Sequence, residues 1–302
     1  LCRTGPGIYY RWLERWGEKP MTPPETGFDV RRLVVAIDSS SHAAAALEAA
    51  ATLASQLHAE LEGIFVQDIN LTRLADLPVG REIQFLTGRG RDFTTEALSA
   101  QNREQEGTAR RALAAAARRA RIGHAFRVVR GQVEVEVISA ADNADLLILG
   151  MGSRSPGGRA RLGQTARAAT ERAPRSVLIS KPGMRSISSP LVCYDGSEGT
   201  KRALDAAIKI TGTPESNLTA LIVAADVDQV GDLRQEVEER LAGFQIHPKF
   251  LHCPHPAPDQ ICRFAMQSGA DILVISLESD LIAGQERLTI LETVACPVLL
   301  VR

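Results

Sequence analysis

Apolar residues along the chain fall into short continuous runs of strand length, separated by stretches in which they return every three or four positions. Leu33-Val34-Val35-Ala36-Ile37 is such a run, closed by Asp38. After it, Ala46, Leu47, Ala50, Leu53, Ala54 and Leu57 recur on one helical face. A strand over 60–66 follows. The span 68–95 is polar, with Pro78, Gly80, Gly88 and Gly90 as breakers, and reads as an insertion. The pattern then predicts an Ala-rich helix over about 97–121, a strand at 126–130, a helix near 132–141 and a buried strand at 145–149. A Gly-rich loop over 150–158, a helix near 163–172 and a strand at 176–180 complete the series. Strands alternating with helices at this rhythm make a parallel, doubly wound sheet.

The pattern is then written a second time. Leu33 to Ser40 has its counterpart in Pro190-Leu191-Val192-Cys193-Tyr194-Asp195-Gly196-Ser197, 157 positions later, and Ala46-Leu47-Glu48-Ala49-Ala50 faces Ala203-Leu204-Asp205-Ala206-Ala207 at the same offset. A second echo pairs Ala144-Asp145-Leu146-Leu147-Ile148-Leu149-Gly150 with Ala270-Asp271-Ile272-Leu273-Val274-Ile275-Ser276. An internal repeat of this kind decides the domain organisation before any fold is assigned. The expected strands of the second copy lie near 191–194, 218–224, 249–252, 272–276 and 298–301. The reading is therefore a tail over 1–30, a first α/β domain over 31–182 and a second, degenerate one over 189–302. The second is shorter mainly through the missing 68–95 insertion and a reduced Gly-rich loop.

With 302 residues, two domains are the natural division. The formal net charge of -1 argues against a broad basic surface for nucleic acid. The arginines of the 97–121 helix (Arg110, Arg111, Arg118, Arg119, Arg121) are balanced by Glu96, Glu104 and Glu106 and read as a solvated face. No apolar run approaches the roughly 20 residues of a membrane helix. Five cysteines, an odd set without a C-x-x-C pair, read as reduced thiols, and a cytoplasmic location is expected. The first 20 residues hold both tryptophans but no signal-peptide core; they read as a mis-set start or loose tail, with a short amphipathic anchor as the alternative.

In an open parallel sheet, ligands sit at the carboxyl ends of strands where the strand order reverses. Asp38 lies at one such end. Gly150-Met151-Gly152-Ser153-Arg154-Ser155-Pro156-Gly157-Gly158 lies at another and runs toward Gly163-Gln164-Thr165 at a helix start. Glycines let the backbone aim N–H groups at phosphate oxygens, and a helix N-terminus adds a positive dipole end. Arg154, Arg159 and Arg161 add charge.

On these residues the chain resembles the universal stress protein family in its tandem two-domain form, over 31–182 and 189–302. The resemblance implies two flavodoxin-like (adenine nucleotide alpha hydrolase-like) domains, each a five-stranded parallel sheet of order 3-2-1-4-5, paired through their last strands as an intramolecular pseudo-dimer. It implies an ATP or related adenine-nucleotide ligand, with Mg as its companion ion, in a stress-response regulatory protein. The family's ATP-binding members carry a loop G-x2-G-x9-G-[S/T] and an Asp ending the first strand. Asp38 matches that Asp, and Gly152 the first loop glycine. Ser155 stands at the second; Gly163 comes two residues early for the third, and Thr165 follows Gln164 where a Ser or Thr is due. Gly150 opens the loop. Ala36 and Val66 would border the adenine. At most slow ATP hydrolysis is expected, since no general base or metal-ligand set is visible. Two other readings stand beside this one: a nucleotide-free protein-interaction module with an unknown protein partner, and an adenylating hydrolase, which the absence of an SGGxDS-type loop disfavours.

In the second copy Asp195 is kept, but the loop reads Ser276-Leu277-Glu278-Ser279-Asp280-Leu281-Ile282-Ala283-Gly284, and its carboxylates would repel a polyphosphate. Bland readings compete throughout: Asp38 and Asp195 as helix caps, and the Gly-rich loop as an ordinary connection. His252-Cys253-Pro254-His255, with His247 and Cys262, has a poor spacing for a metal because alternate strand positions face opposite ways.

Overall fold

The computed structural model describes residues 27–38, 40–76, 94–152, 161–183, 187–211 and 217–302, and the backbone of 81–83 and 90–92. The first half runs β1 (Arg32–Ala36), α1 (Ser41–Leu57), β2 (Glu60–Asp68), α2 (Ile69–Ala75), β3 (Arg81–Ile83), β4 (Gly90–Asp92), α3 (Thr95–Ala120), β5 (His124–Gly131), α4 (Val133–Ala140), β6 (Leu146–Gly150), α5 (Gln164–Arg172) and β7 (Ser176–Ser180). The second runs β8 (Pro190–Tyr194), α6 (Glu198–Thr211), β9 (Thr219–Val223), α7 (Val227–Leu241), β10 (Lys249–Cys253), α8 (Pro258–Ser268), β11 (Ile272–Ser276), α9 (Gly284–Thr293) and β12 (Val298–Val301). The 68–95 span, expected as a plain insertion, carries the short α2 and the β3–β4 hairpin. Asp68 starts α2 by accepting the Asn70 N–H at 2.8 Å, a local cap that outweighs the weak periodicity of those seven residues.

Among the described residues ten strands join in one sheet of order β10-β9-β8-β11-β12-β7-β6-β1-β2-β5. Each half has the order 3-2-1-4-5, and all its pairings are parallel; the halves meet at an antiparallel seam in which Val298, Leu299 and Leu300 pair with Ile179, Leu178 and Val177. The sheet is buried on both faces, which is why its strands read as continuous apolar runs. One face packs under α1, α3, α6 and α7 and the other under α4, α5, α8 and α9. Helices α1 and α6 are alanine-rich where they face the sheet, so their backbones approach it closely, and the two meet across the seam.

The repeated Ala-Asp pairs before β6 and β11 have a structural use. Asp145 accepts the N–H groups of Arg31 and Arg32 at 2.8 and 3.0 Å, and Asp271 those of Ser188 and Ser189 at 2.8 and 2.9 Å, so each ties down the entry to its half's first strand. Ahead of β1, Phe28 and Val30 are buried in the core, and the Gly27 N–H donates to Asp205 of α6 at 3.2 Å. Asp205 also holds Arg240 through two bonds of 2.6 and 2.7 Å. The arginines of α3 behave as a solvated face: Arg110 pairs with Glu106 and lies over the Phe126 ring, and Arg119 pairs with Glu48 of α1.

Candidate functional site

Strand β1 ends at Ala36, and the chain turns at Asp38 into α1. The Asp38 Oδ1 accepts the Ser40 N–H at 2.8 Å, and the Ser40 hydroxyl oxygen then accepts the Ala43 N–H at 3.1 Å. The cap of α1 is therefore Ser40. Asp38 shapes the turn with one oxygen, while its side chain stays exposed at the strand end.

Two positions in the glycine loop require glycine. At Gly150, the last residue of β6, a Cβ would lie 2.7 Å from the backbone oxygen of His42, so the first turn of α1 packs directly on the strand end. Gly152 has φ of +109°, and a Cβ there would lie 2.5 Å from the Gly163 Cα. Gly163 donates its N–H to the Met151 carbonyl at 2.8 Å, pinching the two ends of the loop together. It is also the N-cap of α5 and offers no side chain to that helix's first N–H groups, which leaves them for water or a ligand. Ser155 lies outside the described residues, as do Arg154 and Arg159.

Ala36, Asp38, Val66, Gly150, Gly152, Gly163 and Thr165 all line one cavity of about 240 Å³ at the carboxyl ends of β1, β2 and β6. Its inner wall is apolar, from Ala36, Ile64, Val66 and Leu149 with Val133 and Val137 of α4; its mouth is polar, from Asp38, Ser40, His42, Gln164 and Thr165. The apolar slot has room for a flat heterocycle, and the uncapped α5 start for an anion. Several lining residues were not singled out by sequence, among them His42, Val133 and Val137. The i, i+4 spacing of the two valines was a usable signal, whereas His42 gave none, standing two residues into a helix otherwise read for its alanines. Its Nδ1 is buried in the cavity wall with no hydrogen-bond partner among the described residues.

The second half closes the same place from within. The repeat offset of 157 sets Gly199 where His42 stands, and Ser276 replaces Gly150. The Ser276 hydroxyl accepts the N–H groups of Glu278 and Ser279 at 3.1 and 3.2 Å. With no side chain at Gly199, the Ser276–Ser279 turn lies directly on α6. The Ser279 hydroxyl donates to Asp195 Oδ2 at 3.0 Å, while Asp195 Oδ1 accepts from the Ser197 N–H at 2.9 Å and the Thr200 hydroxyl at 2.7 Å. Burial works against the charge on Asp195, but the bonds from Ser197, Thr200 and Ser279 outweigh it and hold the carboxyl below its ordinary value. Glu278 is paired with Arg202 of α6. Charge repulsion was the expected barrier to a ligand here; the structure adds a mechanical one, a loop whose N–H groups are already taken.

His252, Cys253 and His255 are likewise engaged locally. His252 Nε2 lies 2.9 Å from the Ala224 carbonyl, and Cys253 donates to the His255 carbonyl and Gln260 Oε1, both at 3.3 Å. Among the described residues no three His, Cys, Asp or Glu side chains gather as a metal site, and no helix is long and apolar enough to cross a membrane.

Residues 29–181 match the family model of the Universal stress protein family. The fold is similar to that of a universal stress protein from Archaeoglobus fulgidus DSM 4304, at 20% identity and a TM-score of 0.69, covering 91% of this chain and 99% of that one. It is similar also to a Pseudomonas aeruginosa UCBPP-PA14 protein assigned to the same family, at 17% identity and a TM-score of 0.55, covering 90% and 93%. At these identities the likeness establishes the fold. No curated protein matches the sequence.

Proposed function

The chain belongs to the universal stress protein family, and from that premise we propose that its first half binds ATP or a related adenine nucleotide in the cavity at the ends of β1, β2 and β6. The observation that carries this reading is the convergence on one cavity of an apolar slot, an exposed carboxylate and a helix start without a side-chain cap. In this reading the adenine lies between Ala36 and Val66 and against Val133 and Val137. Asp38 accepts a hydrogen bond from the ribose, and the phosphates run past Gly152 and Gly163 toward the N-terminus of α5. The His42 Nδ1, a buried nitrogen in need of a partner, faces the nucleoside.

The role of the site in this reading is regulatory binding in a stress response rather than turnover. Asp38 is exposed and bonded to its own turn, and a general base must reach the proton it takes. A phosphate-bound Mg would be carried in with the nucleotide. The second half serves as scaffold, so one nucleotide per chain is expected.

Calorimetric titration of the full chain with ATP, with and without Mg, tests this. The expected result is one site per chain. Asp38→Ala should cost about 1–3 kcal/mol, the scale of a lost hydrogen bond to a charged group. Gly163→Val should weaken ATP more than adenosine, because it obstructs the phosphate path alone. Two equivalent sites would refute the closed second half. No binding in a normally folded protein would replace this reading by the nucleotide-free interaction module.

A further inference from the structure

Lys181 follows directly on β7, at the carboxyl end of the first-half strands, which the antiparallel seam makes the end where β11 and β12 begin. It lines a cavity of about 400 Å³ with residues of α8 and of the turn between α9 and β12. Lysine is almost never buried without a partner, yet Lys181 is only 6% exposed. Its ammonium has three hydrogens to place, and its acceptor among the described residues is the Val294 carbonyl.

No ion pair joins Lys181 to another described residue, although two carboxylates are near: Glu292 acts on its charge and Asp271 lines the cavity. Cys262 and Cys296 share the cavity wall and lie near enough to act on the lysine's charge. Both stay neutral at pH 7, because burial pushes the Cys296 thiol up to about 11 and lifts Cys262 as well. Glu292 is exposed and accepts the Leu162 N–H at 3.2 Å. Asp271, also on the wall, is engaged by the N–H groups of Ser188 and Ser189. The rest of the lining is apolar, including Ala265, Val294 and Pro297, and Met266 stands 74% exposed at the mouth. A cavity of this size lies within the range of small-molecule sites.

We propose that this cavity binds a small apolar carboxylic acid, whose carboxylate pairs with Lys181 while its hydrocarbon body lies against Ala265, Val294 and Pro297. The pairing is a charge-assisted hydrogen bond in a place shielded from water, and it supplies the directly bonded negative charge that no described residue offers the ammonium. Burial pushes the Lys181 amine below its ordinary value, and a bound carboxylate would offset that cost. The site is separate from the β1–β2–β6 cavity and does not depend on nucleotide binding.

The probe is n-octanoate, with n-octanol as its uncharged counterpart, titrated into the full chain at pH 7. Octanoate should saturate one site per chain, and octanol should bind about tenfold or more weakly. Lys181→Met keeps the shape, removes the charge and should abolish the preference for the acid. Ala265→Phe fills the cavity from α8 and should remove both ligands while the melting temperature reports the fold. ATP should not displace octanoate. The proposal is overturned if folded protein shows no saturable octanoate binding at millimolar concentration, if octanol binds equally, if Lys181→Met leaves affinity unchanged, or if ATP competes.

Discussion

Replacing Gly152 by alanine should do far more harm than the same change at Gly163, although the two glycines touch. At Gly152 the backbone has φ of +109°, a conformation that costs a side-chain-bearing residue about 1–3 kcal/mol. The new Cβ would also lie 2.5 Å from the Gly163 Cα, so the base of the loop must open by about 1 Å to reach an ordinary contact. That movement breaks the 2.8 Å bond from the Gly163 N–H to the Met151 carbonyl, worth about 1 kcal/mol. Together these give about 2–4 kcal/mol, a large part of the 5–15 kcal/mol that holds a typical domain. At Gly163 φ is -63°, suited to any residue, and a Cβ would lie 3.2 Å from the Gly152 Cα, so Gly163→Ala should cost under about 1 kcal/mol. Urea unfolding followed by far-ultraviolet circular dichroism gives both values, and ATP titration reports whether the pinched loop is needed by a ligand. Equal midpoints for the two variants, or a Gly152→Ala protein with the stability and ATP affinity of the parent, would refute this account of the loop.

Two further outcomes follow from the second half. The folded-state pKa of Asp195 lies below its unfolded value near 3.8, so its stabilising effect is complete above that value and is lost as the pH falls through the lower, folded one. Asp195→Asn should therefore flatten the acid limb of the stability curve below about pH 5, and an unchanged limb would show that the Ser197, Thr200 and Ser279 bonds carry no charge-dependent energy. Cys193 is fully buried, and burial pushes its thiol up to about 12, so at pH 8 its thiolate fraction is about a thousandfold below that of an ordinary thiol. Iodoacetamide should label it only after unfolding, as read by peptide mass mapping; rapid labelling of the native chain would contradict its place in the core.

The strand ladder was legible because a sheet covered on both faces makes every central strand a continuous apolar run, and because the repeat supplied each run twice. The ends of elements were less legible. Helix α2 depends on one cap from Asp68, and the β3–β4 hairpin has strands of three residues, too short for a period to register. Within the candidate site, Asp38 and the glycines could be picked out because a turn and a close approach restrict residue type. His42 could not, because it reaches the site by packing against the backbone of Gly150, 108 residues away in sequence. The closure of the second site was half legible: the carboxylates of its loop were plain, but the Ser276 and Ser279 bonds that occupy the N–H groups and Asp195 needed coordinates.

The seam between β7 and β12 has a consequence for how the protein is made. Strand β7 is complete at Ser180, but its partner begins at Val298, so during synthesis the edge of the first half waits for about 120 residues. At ribosomal rates of about 5–20 residues per second that is roughly 6–24 s with an apolar strand edge uncovered. For that interval a nascent chain presents to its neighbours on the same polysome the surface that its own last strand will later occupy, and two chains could exchange second halves across it. Codon choice and translation speed between residues 190 and 298 thus bear on how much of this protein assembles as single chains and how much as swapped pairs.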